Sequence, residues 1–173
     1  MRALVVYESM FGNTRAVAEA IGSGLSEKAD VEVVPVRDVP LRIGNDVDLL
    51  VVGGPTHAFG LSRRSSRQQA GQQAEAAGLP RPETDVGLRE WLEATPLVPG
   101  LPAAVFDTQM RNPFSGSASR PARRALRRLG CDIAPGTCSF YVQGNRGPLV
   151  DGELERARAW GRSLAQTEHR VDA

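Results

Sequence analysis

Ser9, Asn13 and Thr14 fall within ESMFGNT (8–14), where an apolar run ends and a helical pattern begins. Hydroxyls and an amide gathered around a glycine at a helix start can bind an anion without a full counter-charge. Backbone amides at a helix N-terminus carry partial positive charge, and phosphate is the anion they favour most. Gly12 lets the backbone approach such a ligand closely. Asn13 or Thr14 could equally serve as a plain helix cap. No GxxxxGK[ST] is present to hold a nucleoside triphosphate, and no GxGxxG follows a strand, which disfavours a dinucleotide. A single terminal phosphate fits best.

Two further stretches pair flat or apolar groups with hydrogen-bonding ones. GGPTHAFG (53–60) carries His57 and Phe59, and DTQMRNPFSGS (107–117) carries Met110 and Phe114. Such groups could sandwich a planar ring while loop amides and carbonyls bind its polar edge. Any one of them alone reads as a loop residue packed under its own turn or solvated. The argument rests on three loops converging.

The elements that must bring them together alternate. RALVVY (Arg2–Tyr7) reads as a strand covered on both faces. Val17, Ala18, Ile21 and Leu25 recur at helical spacing over 13–28. Further strands are expected at 31–36, 48–54, 101–108 and 137–144, with Pro35 suiting an edge. Helices are expected around Leu88, Trp91 and Leu92, around Ala122, Leu126 and Leu129, and around Leu154, Ala157 and Leu164. This order predicts an α/β fold, a three-layer doubly wound sandwich on a parallel sheet. In such a sheet every strand delivers its following loop to one edge, where ligands collect. Residues 61–83 break the rhythm as a polar, Arg- and Gln-rich insertion able to hold a short helix.

The 173 residues suit one domain, and a net charge of +1 gives no global field toward nucleic acid or a membrane. No stretch approaches the roughly 20 apolar residues of a membrane span, and no targeting segment opens the chain, so a cytoplasmic protein is expected. Cys131 and Cys138 read as buried reduced thiols, and no metal-ligand set is evident.

With SMFGNT (9–14), GGPTHAFG (53–60) and FDTQ (106–109), and with this element order, the chain resembles the flavodoxin family. The resemblance implies a five-stranded sheet in order 2-1-3-4-5 and non-covalent FMN. Ser9, Met10, Phe11, Gly12, Asn13 and Thr14 would hold its phosphate. Pro55, Thr56, His57, Ala58, Phe59 and Gly60 on one side, and Asp107, Thr108, Gln109 and Met110 on the other, would flank the isoalloxazine. The implied activity is electron transfer, one electron at a time, between a reductase and an acceptor, with no catalytic acid or base. An FMN-dependent NAD(P)H or quinone reductase on the same fold is the alternative, and a flavin-free binding module a second.

The sequence departs from the family pattern at three places. His57 and Met110 stand where a Trp and a Tyr often stack on the ring, a contact of about 0.5–1.5 kcal/mol per aromatic pair beyond buried area. A histidine there predicts a potential that varies around pH 6 to 7. Ala58 stands where a glycine often flips its peptide, and its Cβ predicts a less stabilised one-electron state. Finally, flavodoxins are typically acidic, whereas Arg63, Arg64, Arg67 and Arg111 cluster near the expected site and five arginines face one helix. Those near the site could receive an acidic protein partner or the phosphates of NAD(P)H; those on the helix read as a solvated face.

Overall fold

Every residue of RALVVY after Arg2 is buried, as a central strand requires. In the computed structural model, which describes residues 1–40, 42–57, 60–82, 85–112, 116–134 and 137–167, this run is β1 (Arg2–Tyr7). It pairs in parallel with β2 (Asp30–Pro35) on one side and β3 (Leu49–Pro55) on the other. β4 (Pro102–Met110) joins β3, giving the order β2-β1-β3-β4. Pro35 closes β2 on the outer edge, as its missing N–H demands.

The place of the expected fifth strand is filled by two pieces. β5 (Asp132–Ile133) pairs with Pro102 and Ala103 at the start of β4, and β6 (Cys138–Val142) pairs with Phe106 through Met110 at its end. Both run parallel to β4, and the register slips by two residues between them. The predicted strand at 137–144 is therefore β6, and β5 is a separate fragment that the sequence pattern did not reveal.

Alternate residues of each strand point to opposite faces, and two cores result. Val5, Val51, Ala104 and Phe106 pack beneath α1 (Asn13–Leu25) and α5 (Glu153–Thr167) through Val17, Ile21, Ala157 and Leu164. Leu4, Leu50, Val52 and Val105 pack beneath α3 (Leu88–Ala94) and α4 (Ser119–Arg128) through Leu88, Trp91, Ala122 and Leu126. Gly24 and Gly161 bring α1 and α5 into backbone contact. A Cβ at Gly24 would lie 2.0 Å from the carbonyl oxygen of Arg158, and one at Gly161 would lie 2.3 Å from that of Ile21. Among the described residues, no helix is long and apolar enough to cross a membrane.

The insertion at 61–83 contains α2 (Arg64–Ala76), a 13-residue helix. Its anchor corrects one reading of the sequence, because Arg67 is not a solvent-facing site arginine: it is 0% exposed. Ser62 Oγ donates to Glu8 Oε1 and accepts from Arg67 Nη1 at 2.8 Å. The other Glu8 oxygen accepts from the backbone N–H of Leu88 at 2.9 Å, and Arg67 Nη2 lies 3.0 Å from Glu90 Oε1. The end of β1, the start of α2 and the start of α3 are thus joined by one buried charge cluster. Burial pushes the Glu8 carboxyl above its usual range despite bonds from Ser62 and Leu88 and the nearby guanidinium. Glu90 moves the other way: partial burial would raise it, but its bond to Arg67 and backbone bonds outweigh that and hold it low.

Candidate functional site

β1 extends by one more rung, with the N–H of Glu8 donating to the carbonyl of Gly53 at 2.9 Å, and then turns into α1. Ser9 Oγ accepts from the N–H of Gly12 at 3.1 Å, and Gly12 adopts φ 89°. A side chain is strained in that left-handed region, and open space surrounds the position. The helix that follows has no side-chain cap and no acidic residue in its first turn. Its N-terminal amides are therefore left for another acceptor.

Asn13 and Thr14 do not cap this helix. Asn13 Nδ2 donates to the carbonyl of Arg146 at 3.1 Å, tying the loop to the segment after β6. Thr14 Oγ1 shares a buried hydrogen bond of 2.8 Å with Thr108 Oγ1. The two side chains brace the loop, and the dipole and amides of α1 supply its attraction for an anion.

Thr56 continues the ladder through its N–H to the carbonyl of Thr108 at 2.8 Å. His57 and Gly60 then exchange two backbone hydrogen bonds of 2.9 Å. Ala58, Phe59 and Phe114 lie outside the described residues. Asp107 points inward. It is fully buried, and its Oδ2 accepts from Ser117 Oγ at 2.7 Å and from the N–H of Ser119 at 3.0 Å. Its carboxylate fixes the start of α4, and Thr56 Oγ1 joins it by accepting from the N–H of Ala118 at 3.0 Å. The Oδ2 of Asp107 thus organises the start of α4, while its buried Oδ1 has no partner among the described residues.

The loops enclose a cavity of about 460 Å³ at the C-terminal edge of the sheet. Met10, Phe11, Asn13 and Thr14 line it from the first loop. Pro55, Thr56 and His57 come from the second, and Thr108, Gln109 and Met110 from the third. Ser9 and Gly12 face an adjoining groove of about 250 Å³ on the outer side of the first loop, and Gly60 faces another beside α4.

Two contributors escaped sequence reasoning. Ser66, Gln69 and Gln73 project from α2, and Val142 at the end of β6 and Asn145 in the fourth loop that follows it complete the wall. The spacing of three and four residues in 66–73 was a usable signal, since it puts those polar groups on one helical face. Neither tryptophan reaches the cavity: Trp91 lies in the core beneath α3, and Trp160 packs edge-to-face on Phe106 and Phe140.

Every described residue lining the cavity is uncharged except for the titratable His57. Burial lowers the His57 pKa from 6.5, so the ring is neutral at neutral pH and the expected pH 6 to 7 response moves to the acid side. A lowered pKa means that the unfolded chain takes up the proton first. Stability tied to this ring is therefore complete above pH 6.5 and lost as pH falls through the folded value. The His57 ring resonances are expected to titrate with a midpoint below 6.5, assigned by their loss in His57→Gln. A midpoint at or above 6.5 would contradict the buried placement. The thiols stand apart from this chemistry: Cys131 and Cys138 are free, and burial pushes Cys131 up to about 11.

The flavodoxin family model matches residues 5–93, a span that includes the first loop, the second loop and α2. The chain belongs to the flavodoxin family. Its members bind flavin, and in a sheet of this order ligands lie at the β1/β3 switch point. Among solved structures, it is similar to a flavodoxin from the domain Archaea at 23% identity. That match covers 96% of this chain and 98% of the other, with a TM-score of 0.65. Oxidised Flavodoxin 1 from Bacillus cereus is 17% identical over 96% and 98% of the two chains, with a TM-score of 0.68. Rubredoxin oxygen:oxidoreductase from Desulfovibrio gigas is 15% identical over 99% of this chain and 37% of that one, with a TM-score of 0.60. At these identities the structural matches establish the fold. No curated protein matches the sequence.

Proposed function

We propose that this flavodoxin binds FMN and carries electrons between protein partners. The observation behind this reading is the uncharged 460 Å³ cavity set against the uncapped N-terminus of α1. Its size lies within the roughly 300–1,000 Å³ of small-ligand sites. The donor set suits a phosphate monoester: backbone amides at a helix start, a glycine in the left-handed region, and no carboxylate in the first turn to repel the ligand. Met10, His57 and Met110 offer apolar or flat surfaces for a ring, while Gln109 and Asn145 offer hydrogen bonds to its polar edge.

FMN supplies reversible one- and two-electron chemistry when bound, and the chain's residues bind and orient it. Asn13 and Thr14 hold the phosphate loop rigid through Arg146 and Thr108. α2 adds the neutral side chains of Ser66, Gln69 and Gln73 to the cavity wall. Among the described residues the lining has no charged acid–base pair for substrate chemistry, which favours a carrier over an enzyme with its own substrate.

The test compares FMN with riboflavin by fluorescence quenching. Two charge-assisted hydrogen bonds to phosphate, at about 1.5–3 kcal/mol each, predict an FMN preference of about a hundredfold or more. Equal affinities would sink the phosphate assignment, and the absence of quenching would sink the flavin reading. Rapid reduction of the bound flavin by NADPH alone would replace the carrier with a reductase.

A further inference from the structure

Arginines that the sequence placed together separate in the fold. Arg67 is buried, Arg64 lies 3.8 Å from Asp85, and the Arg111 guanidinium sits 4.9 Å above the Tyr141 ring. Arg63 instead joins Arg89, Arg120 and Arg124 around a groove of about 350 Å³ whose wall includes Gly60 and Ser117. Arg89 donates to the carbonyls of Leu61 and Ser62. Arg63, Arg120 and Arg124 are exposed, and no described carboxylate pairs with them. Some cations elsewhere are paired instead: Arg2 with Asp46 and Glu32, Arg15 with Glu19, and Arg162 with Glu27.

α4 carries five arginines and no acidic residue. Arg120, Arg124, Arg127 and Arg128 form an exposed stripe that spans about 12 Å at 1.5 Å per residue. Burying one phosphate against this stripe would leave most of its charge unanswered. A spaced row of carboxylates answers all of it. The groove also reaches Gly60, which is hydrogen-bonded through its backbone to His57 in the cavity wall.

We infer that this arginine groove and the α4 stripe dock an acidic surface patch of a redox partner protein. The inference rests on the electron-carrier reading, which it deepens by giving the partner a charge and a seat. The partner lies against Gly60, whose backbone is hydrogen-bonded to the cavity-lining His57, so the docked groups stand next to the cavity. Guanidiniums at such a rim act mainly on encounter, raising association rates by 10- to 10³-fold with a steep dependence on salt.

The probe is a strongly acidic [2Fe–2S] ferredoxin, with docking read by calorimetry, which needs no flavin, and electron exchange read by stopped flow on the FMN-loaded protein. Raising ionic strength from about 0.01 M to about 0.15 M shortens the screening length from about 30 Å to about 8 Å. Docking affinity and exchange rate are each expected to fall about tenfold or more across that range. Arg120→Glu and Arg124→Glu are each expected to lower both about tenfold at low salt, and Arg124→Gln to a lesser degree. Arg158→Glu, the same charge change on exposed α5, is expected to alter them less than about twofold.

Equal losses in all variants, salt-independent docking or no docking would each overturn the inference. So would tighter binding of a 20-nucleotide DNA strand that the α4 variants abolish, since the groove would then serve phosphates. Failure of the flavin reading is separate, because it shows in the visible spectrum before any partner is added.

Discussion

Arg67→Met is expected to destabilise the protein by about 3–5 kcal/mol, the usual cost of removing one partner from a buried charge cluster. Methionine has nearly the volume to fill the space, so the loss comes from the charges left behind. Ser62 loses its donor, Glu8 keeps a desolvated carboxylate without its nearby cation, and Glu90 loses the bond that holds its pKa low. Urea unfolding at pH 7 measures the size of the loss, and its pH dependence identifies the cause. Glu8 already titrates above 4.5 in the folded protein, and without Arg67 it shifts further up. A raised carboxyl pKa adds stability as pH falls toward the unfolded value, so the deficit should shrink between pH 7 and about 4.5. A deficit independent of pH would mean that Arg67 acts only by filling space. Ser66, Gln69 and Gln73 ride on the same helix, so the variant should also disturb the wall of the proposed flavin site.

Phe106→Ala is expected to cost a similar amount, about 3–5 kcal/mol. Its ring is fully buried between Phe140, 6.2 Å away, and Trp160, 6.4 Å away, both met edge-to-face. The ring also lies across Gly53, its register partner on β3, where a Cβ would come within 2.1 Å of it. Gly53→Ala alone should therefore be destabilising, by about 1–3 kcal/mol, through overpacking. Combining the two changes should cost at least about 1 kcal/mol less than their sum, because the new methyl occupies space that the ring has vacated. Strict additivity in urea unfolding would show that ring and glycine do not share that space. The stakes extend to the cavity, since Thr108, Gln109 and Met110 follow Phe106 on the same strand.

The alternation of strands and helices and the three principal loops were legible because they rest on local pattern, whereas the strand order came from the family resemblance. Continuous apolar strands, helical periodicity and a glycine between hydroxyl and amide groups each announce themselves within a few residues. The bonds of Asn13 and Thr14 were not legible. Their types suited an anion site or a cap, yet their partners, Arg146 and Thr108, are distant in sequence. Arg67 was misread for the same reason, as an arginine in a polar run looks solvated until the fold brings Glu8 and Glu90 to it. The fourth loop lacks the hydroxyl and aromatic signals of the other three, and β5 spans only two residues, too few to show a period.

The break between β5 and β6 has a consequence for the behaviour of the protein in a crowded solution. An outermost strand normally offers a continuous row of free N–H and C=O groups on which another chain can template itself. Here the row is cut in two and displaced by two residues, so an incoming strand cannot stay in step along its length. The opposite border, β2, carries Glu32 and ends in Pro35. Both margins of the sheet are thereby unfit to recruit a neighbour strand by strand, which protects against aggregation.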